Sequence, residues 1–476
     1  MSKYRVSAAA VLGAALIASF CAPAAGYLRI HPSNPHYFLE TTAGKAVLVI
    51  GHGSSVPEWA SYDDNVGISD YKAHRIGWVR VWHFGSWGGS DTVWPWAFSG
   101  TGGAYYGGYK VDLNTWNPAY WTRLNGSMSL LNAGGIYGEI MLFERCCMSP
   151  DGIDRWGGNP WARDNNINSL ETPYAAPPND GTPDFYQWST KPNLRNQQER
   201  CVRKMIDETI ANPNVIYEVE NEHWDSPSIG WADHYAQFVK DYIATNYPGS
   251  PRLVSYSSIE SQAGLDACYS VSSIDVINQH YGPEPESNPS IVNTYLEPRW
   301  SYNKAINVDE FGNFLTDVNI LREICWTIIT SGGNFHIEDA DDAICYTVIE
   351  NIRSFLALSG WDFIHAAPNK NLITSGGGYC MAQPGVEYVC YFPSGGSKTI
   401  NLSAGTYRAE WWNPRTGGRR RNGPDRDDRL RYRRHLLPGE PHRRHPVSAN
   451  QRRRPRGEAL LAQRRKLPVL PCALRA

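Results

Sequence analysis

Eight short apolar runs, separated by segments of helical periodicity, constrain this chain more than any other feature. The runs are Val47-Leu48-Val49-Ile50-Gly51, Trp78 to His83, Ile136 to Phe143, Asn214 to Glu222, Leu253 to Tyr256, Ile274 to Tyr281, Ala305 to Glu310 and Asn334 to Ile337. They are rich in Val, Ile and aromatic residues and mostly lack alternation, the mark of strands buried on both faces. Between them, Leu194 to Ile210 places Cys201, Val202, Met205, Ile206 and Ile210 at spacings of three and four, a helical stripe. Trp231 to Ile243, Ile320 to Ile329 and Ile344 to Leu358 repeat the pattern, and Gly332-Gly333 and Ser359-Gly360 stop the last two. Strands alternating with helices imply a parallel sheet, and eight such units imply a closed (β/α)8 TIM barrel.

Past Ala366 the period changes. Tyr379 to Ala382, Glu387 to Phe392, Lys398 to Leu402 and Tyr407 to Trp412 are short strands divided by Pro-Gly, Gly-Gly and Ala-Gly turns. The expected organisation is therefore a signal segment over 1–25, a barrel over 27–365, a small and truncated antiparallel β-sandwich module over 366–417, and a basic Arg/Pro-rich tail over 418–476. The tail is expected to be disordered, because it lacks the apolar periodicity of a packed element. A shift of reading frame near Arg415 and a genuine basic tail for polyanions both stay open as its origin.

Net charge sharpens the division. The stretch from Arg419 holds 18 basic and 5 acidic residues, whereas the first 418 hold 27 basic and 42 acidic. An acidic main body argues against nucleic acid as its partner. Lys3 and Arg5, the apolar run Val6 to Phe20 and Ala22-Pro23-Ala24 read as a cleaved secretory signal, which places the chain outside the cytoplasm, extracellular or periplasmic. The run is too short to span a bilayer, so no membrane insertion is expected. Oligomeric state is not legible. Outside the signal and tail, eight cysteines follow no zinc spacing. Cys325 and Cys345 fall on apolar helix faces as core thiols. Cys380 and Cys390 flank Pro384-Gly385 and are read as either bridged or free.

The chemistry sits at strand ends, the functional face of such a barrel. Glycoside hydrolysis needs two carboxyl groups across the scissile bond, one protonated and one ionised. Glu222 and Glu310 fit by type and place, and the 88 residues between them make three units of about 29, near the roughly 31 per unit of a typical barrel. The expected roles are acid/base for Glu222 and nucleophile for Glu310. Asn221 would bond the sugar 2-hydroxyl, and Arg80, pointing inward from the second strand, would keep Glu310 ionised. His280 and Tyr281 end the sixth strand, where Tyr281 could hold Glu310 by its hydroxyl, and His336 would form part of the sugar floor. Glu220, which shares the strand parity of Glu222, is the rival for an active role. A strand-end Glu can equally be the structural partner of an Arg.

The sequence carries 18 Trp and 27 Tyr. Two long loops, Gly85 to Pro118 and Arg145 to Asn193, place Trp87, Trp94, Trp96, Trp156 and Trp161 as cleft-wall candidates; Trp87, and Trp224 just past the fourth strand, are the expected substrate contacts. The first strand ends Gly51-His52-Gly53, with one histidine where a metal-dependent barrel would cluster several, so neither metal nor organic cofactor is expected.

Tyr217-Glu218-Val219-Glu220-Asn221-Glu222, with Asp309-Glu310-Phe311-Gly312, resembles clan A of the retaining glycoside hydrolases. Phe38-Leu39-Glu40 to Val49-Ile50-Gly51, with Asn212-Pro213-Asn214, resembles its apiosidase-like branch. Glu387-Tyr388-Val389 and Trp411-Trp412-Asn413-Pro414-Arg415-Thr416-Gly417 resemble the collagen-binding-type β module that follows such barrels. The resemblance covers about Tyr27 to Gly417. It implies a secreted enzyme acting on plant or microbial polysaccharide with retention, through a glycosyl-enzyme intermediate. The rival classes are a carbohydrate-binding barrel without catalysis and a matrix-binding role for the module.

Overall fold

The computed structural model describes residues 26–57, 63–82, 92–148, 156–171, 185–222, 229–258, 262–280, 285, 287–312, 315–338, 340–394, 397–420, 432–434 and 470–475. Eight parallel strands close into a barrel in chain order. They are β1 Ile50–Ser55, β2 Trp78–Val81, β3 Tyr137–Met141, β4 Val215–Glu218, β5 Val254–Ser258, β6 Val276–Gln279, β7 Ala305–Phe311 and β8 Asn334–Ile337. Closure comes from β8 pairing with β1, with His336 opposite Gly51. One helix follows each strand: α1 Asp64–Ala73, α2 Pro118–Gly134, α3 Pro192–Thr209, α4 Ile229–Asn246, α5 Gln262–Ser270, α6 Ile291–Arg299, α7 Val318–Thr330 and α8 Asp342–Ser359. Asp63, Asn117, Asp317 and Asp341 cap four of them by accepting from backbone amides of the first turn. The TIM-barrel expectation is met. Two of the helices without a sequence expectation carry weak stripes: α1 buries Ile68 alone, and α6 contains Pro298. Among the described residues no helix is long and apolar enough to cross a membrane.

The barrel interior is layered by the two-residue period of its strands. The lowest layer is apolar: Val49, Trp78, Tyr137, Ile216, Leu253, Val276 and Ala305 pack with Leu28 and Phe38. Those last two belong to a three-stranded antiparallel sheet, Leu28–Ile30, Phe38–Glu40 and Lys45–Val47, which seals the N-terminal end of the barrel. Two residues further along each strand the interior turns polar, with Arg80, Glu139, Glu218, Ser255, Asn278, Asn307 and His336 all buried.

This layering corrects the first strand. The run Val47 to Gly51 is divided, Val47 ending the sealing sheet and β1 starting at Ile50. The barrel strand then continues through His52 and Gly53, with an irregularity in its pairing to β2 between Gly51 and Ser54. The glycines are required here. A Cβ on Gly51 would lie 2.7 Å from the Trp78 carbonyl oxygen and 2.8 Å from the His336 ring, and Gly53 has φ +80.

The long segments after β2 and β3 pack on each other. The first carries a hairpin, Trp96–Gly102 with Tyr109–Trp116, and Val111 exchanges backbone hydrogen bonds with Asn165 and Ile167 of the second. Trp94, Trp96, Trp156 and Trp161 are all buried, and the Trp96 and Trp161 rings meet edge to face at 5.0 Å. They are a core beneath the loops and do not line a cleft, which corrects the sequence reading. An indole buries a large apolar area, and two long loops need such a core to hold a shape.

The C-terminal region holds separate antiparallel sheets. A seven-stranded sheet runs Ala367–Pro368, Tyr379–Gln383, Glu387–Phe392, Leu470–Arg475, Tyr407–Asn413, Gly418–Arg420, with Tyr432–Arg434 also on Tyr407–Asn413. Ile373–Ser375 pairs with Thr399–Ile400. The stretch from 418 is thus not wholly outside the fold: Leu470 to Leu474, an apolar run within the tail, fills the gap between Glu387–Phe392 and Tyr407–Asn413. Cys380 and Cys390 face each other across the sheet as buried thiols, sulfur to sulfur 3.2 Å. Cys325 and Cys345 are buried core thiols. The region shares its core with the barrel helices. Trp326 of α7 stacks on Tyr391, Phe355 of α8 meets Trp412 edge-on at 5.5 Å, and Asn351 donates to the carbonyls of Pro414 and Arg415.

Replacing Gly51 by alanine forces a methyl against fixed backbone. We expect a loss of about 1–3 kcal/mol, the usual range for overpacking, read as a lower urea midpoint at unchanged m-value.

Candidate active site

At the C-terminal mouth of the barrel β4 and β7 deliver Glu222 and Glu310. Five non-glycine residues among those described have positive φ, and these two carboxylates are among them, at +51 and +50. Left-handed backbone costs energy for a side chain with a Cβ and gathers at functional sites. At β7 its effect is concrete. Alternation would place Asp309 inward and Glu310 outward. The turn at Glu310, with a register shift between Val308 and Phe311, brings both carboxyl groups onto Arg80.

Arg80 is the centre of the arrangement. Fully buried, it bonds Glu310 and approaches Glu338 at 3.4 Å through Nη1, and through Nη2 it meets Glu218 at 3.1 Å, Asp309 at 3.7 Å and the Asn221 oxygen at 2.6 Å. Burial works against its charge, but the carboxyl groups around it, Glu310 foremost, outweigh that and hold the guanidinium firmly protonated. Asn221 turns its amide group the other way, donating to Glu144 at 3.0 Å and to Glu310 at 3.1 Å.

The carboxyl groups separate electrostatically. Burial alone would raise Glu310, but Arg80, His280 and the hydrogen bonds from Arg80 and Asn221 hold it below the usual carboxylate range. Glu218 moves the other way: burial, reinforced by Glu139, pushes it up to about 8 despite Arg80. Asp309 is raised well above its ordinary value, chiefly by burial, with Glu218, Glu310 and Glu139 adding to it. Below them Glu139 accepts from Trp78, Ser255 and Asn278, and Asn278 also donates to Glu218 at 2.6 Å.

His280 stands between the two strand-end carboxylates. Its Nε2 contacts Glu310, and its Nδ1 lies 3.8 Å from Glu222. Burial lowers its pKa to about 4 in spite of Glu310, so the ring is neutral at neutral pH. His336 is fully buried under Glu338 with Nε2 at 2.9 Å from the Gly53 carbonyl. It is covered, so it does not present a floor to a sugar. Glu222 is the more open of the pair, its side chain 23% exposed against 10% for Glu310.

The residues singled out in the sequence thus divide. Arg80, Asn221, Glu222, His280 and Glu310 come together, and His336 borders them through Glu338. Glu220 does not join them: it is buried and accepts from the Tyr186 hydroxyl at 2.6 Å. Tyr281, Trp87 and Trp224 lie outside the described residues. Sequence reasoning missed Glu338, Asp309, Glu139 and Glu144. Parity was the available signal for three of them, since Glu139, Asp309 and Glu338 stand at inward positions of their strands.

Glu222, His280 and Glu310 also offer ligand atoms within 4.8 Å of one another, close enough to share one cation. The donor set suits a divalent ion by type, but Arg80 presses a fixed positive charge on Glu310, so a cation there would face repulsion at its principal ligand.

No family model and no curated protein matches the sequence. Solved structures do. A glycoside hydrolase family 5 protein from Bacteroides vulgatus superposes with TM-score 0.54 at 12% identity, over 86% of this chain and 87% of that one. A second structure, described as a glycoside hydrolase, gives 0.56 at 11% identity over 86% and 93%. The fold is shared with glycoside hydrolases. At this identity the likeness concerns backbone architecture, and the chemistry has to be argued from the side chains above.

The buried histidines set a pH dependence of stability. His280 and His336 both have depressed folded pKa values, burial being the main cause, against about 6.5 unfolded. Below pH 6.5 the unfolded chain binds protons that the folded chain refuses, so stability falls as pH drops. Glu310, depressed as well, adds to the loss as pH falls through its folded value. Glu218 and Asp309, raised on folding, act in the opposite direction until the unfolded carboxyl groups protonate at about pH 4, so urea titrations between pH 6.5 and 4.5 are expected to fall less steeply than the roughly 1.4 kcal/mol per pH unit that each histidine alone would give.

Proposed function

We propose that the chain is a retaining glycoside hydrolase with Glu310 as nucleophile and Glu222 as acid/base. The reading is carried by two strand-end carboxyl groups with oxygens within 4.8 Å of each other, one bonded by Arg80 and Asn221 and the other more open. Carboxyl groups about 5–5.5 Å apart suit retention, whereas about 6.5–9.5 Å leaves room for the water of an inverting enzyme.

The groups have the right asymmetry for two displacements. An ionised Glu310 oxygen attacks the anomeric carbon while the bond to the leaving oxygen breaks, and Glu222 passes its proton to that oxygen. A glycosyl ester on Glu310 results. Water then attacks the same carbon, giving its proton to Glu222, and Glu310 departs as carboxylate. Arg80 keeps the nucleophile ionised and aimed at rest. When Glu310 bonds the sugar, the Asn221 N–H that held it becomes available to the neighbouring 2-hydroxyl, the role expected for Asn221.

The finer reading rests on the sequence. The motifs around Glu222, Glu310 and Asn212-Pro213-Asn214 support an apiosidase-like enzyme acting on plant or microbial polysaccharide, with a collagen-binding-type module after the barrel. The charged and apolar opening segment supports secretion, which fractionation and N-terminal sequencing of the mature protein would test.

A panel of aryl glycosides and plant and microbial glycans tests the activity. Glu222→Gln is expected to cost about 10²–10⁴-fold in kcat/KM on substrates with poor leaving groups, and much less on activated aryl glycosides. Glu310→Gln is expected to abolish turnover on both, and proton NMR of the first product should show the starting anomer. Glycan binding without turnover in the wild type would favour the carbohydrate-binding reading instead.

A further inference from the structure

Four carboxyl groups crowd one guanidinium at the barrel mouth, and the mechanism above uses one of them. Glu338 follows β8 and is nearly buried, its side chain 9% exposed. It shares Arg80 Nη1 with Glu310, at 3.4 Å. On its other side stands His336, whose neutral tautomer is fixed by geometry. His336 Nε2 lies 2.9 Å from the Gly53 carbonyl oxygen. A carbonyl only accepts, so Nε2 carries the hydrogen and, in the neutral ring, Nδ1 is a bare acceptor. Double protonation is opposed by burial first, then by Arg80.

That Nδ1 is fully buried without a hydrogen-bond partner and is aimed at Glu338 Oε2, 3.6 Å away. An acceptor lone pair facing a carboxylate oxygen is repulsive, and burial denies it water. One hydrogen on Glu338 turns the contact into an O–H···N interaction. The strand opposite is shaped to hold this orientation, since Gly51 leaves the room that the His336 ring occupies and Gly53 presents the carbonyl.

We propose that Glu338 is a positioning residue held as the neutral acid by His336 Nδ1, which reserves the Arg80 charge for Glu310. Ionised, Glu338 would place a second anion on the same Nη1 and weaken the hold on the nucleophile. Among the described residues it meets Arg80 of β2 and His336 of its own strand, and Glu310 and Asp309 of β7 meet the same guanidinium. Beyond them His52 of β1 is paired to Asp342 of α8 at 2.9 Å. The inference assigns a proton and requires no particular substrate, so it can fail while the glycosidase reading stands, and the reverse.

Infrared difference spectroscopy on the full chain at pH 7 reads the proton directly. Subtracting Glu338→Gln from wild type should reveal a protonated-carboxyl C=O band. A carboxylate pair of bands in its place overturns the proposal. His336→Ala should convert the Glu338 signal to carboxylate, and persistence of the protonated band there would show that Nδ1 is not its acceptor. If Glu338→Gln fails to fold, Glu338→Asp serves, with the protonated band retained at a shifted frequency. On an activated aryl glycoside, whose departure needs no acid from Glu222, the alkaline limb of kcat/KM should move to lower pH in His336→Ala, by about one unit for a tenfold loss at fixed alkaline pH. An unmoved limb counts against the assignment.

Discussion

One buried cation organises the functional end of this barrel. Taking a guanidinium out of water is costly unless anions meet it at close range, and Arg80 is met on both nitrogens. It therefore holds β2, β4, β7 and the end of β8 in a fixed relation, through Glu218, Asp309, Glu310 and Glu338. A single positive charge cannot neutralise four ionised carboxyl groups in such a space. Where the protons settle is then decided by local contacts: burial keeps Glu218 and Asp309 raised, while Glu310 gains direct bonds from Arg80 and Asn221 and stays low. Arg80 thus leaves Glu310 ionised beside protonated neighbours, the state that the proposed nucleophile needs.

Support for that centre comes from below. The apolar lowest layer, closed by Leu28 and Phe38, keeps water from the barrel floor, and the Glu139, Ser255, Asn278 and Asn307 network fills the interior above it. Its hydrogen bonds run across the barrel, from Glu139 to β2, β5 and β6 and from Asn278 to β4 and β7, so the network ties the strands together. The glycines of β1 supply what side chains would obstruct, letting the His336 ring lie flat against the strand.

Much of this is legible in the residues alone. Apolar continuity marks seven of the strands and touches the first only at Ile50-Gly51, and strand ends point to Glu222, Glu310 and His280. Two-residue parity places Arg80 inside. The same parity fails at Glu310, because a backbone angle of +50 is set by packing around the strand end and leaves no trace in a Val-Asp-Glu-Phe string. Glu338 keeps its inward parity, but its setting in Glu338-Asp339-Ala340-Asp341-Asp342 reads as an acidic helix start. Glu139 sits in Tyr-Gly-Glu-Ile-Met and looks like an interruption of an apolar strand, although its partners come from β2, β5 and β6. The tryptophans of the long loops misled in the other direction, since abundance does not tell a binding platform from a private core.

The contacts between the barrel helices and the C-terminal sheets carry a consequence for how the chain is divided. A change of periodicity near residue 366 marks a change of secondary structure, but Tyr391 and Trp412 sit in the same apolar cluster as Trp326 and Phe355. Cutting there would lay bare aromatic faces on α7 and α8 that now stay dry, and would strip the detached sheet of the surface it folds against. The boundary drawn from sequence thus crosses a shared apolar core, and a barrel fragment trimmed to it would be prone to self-association.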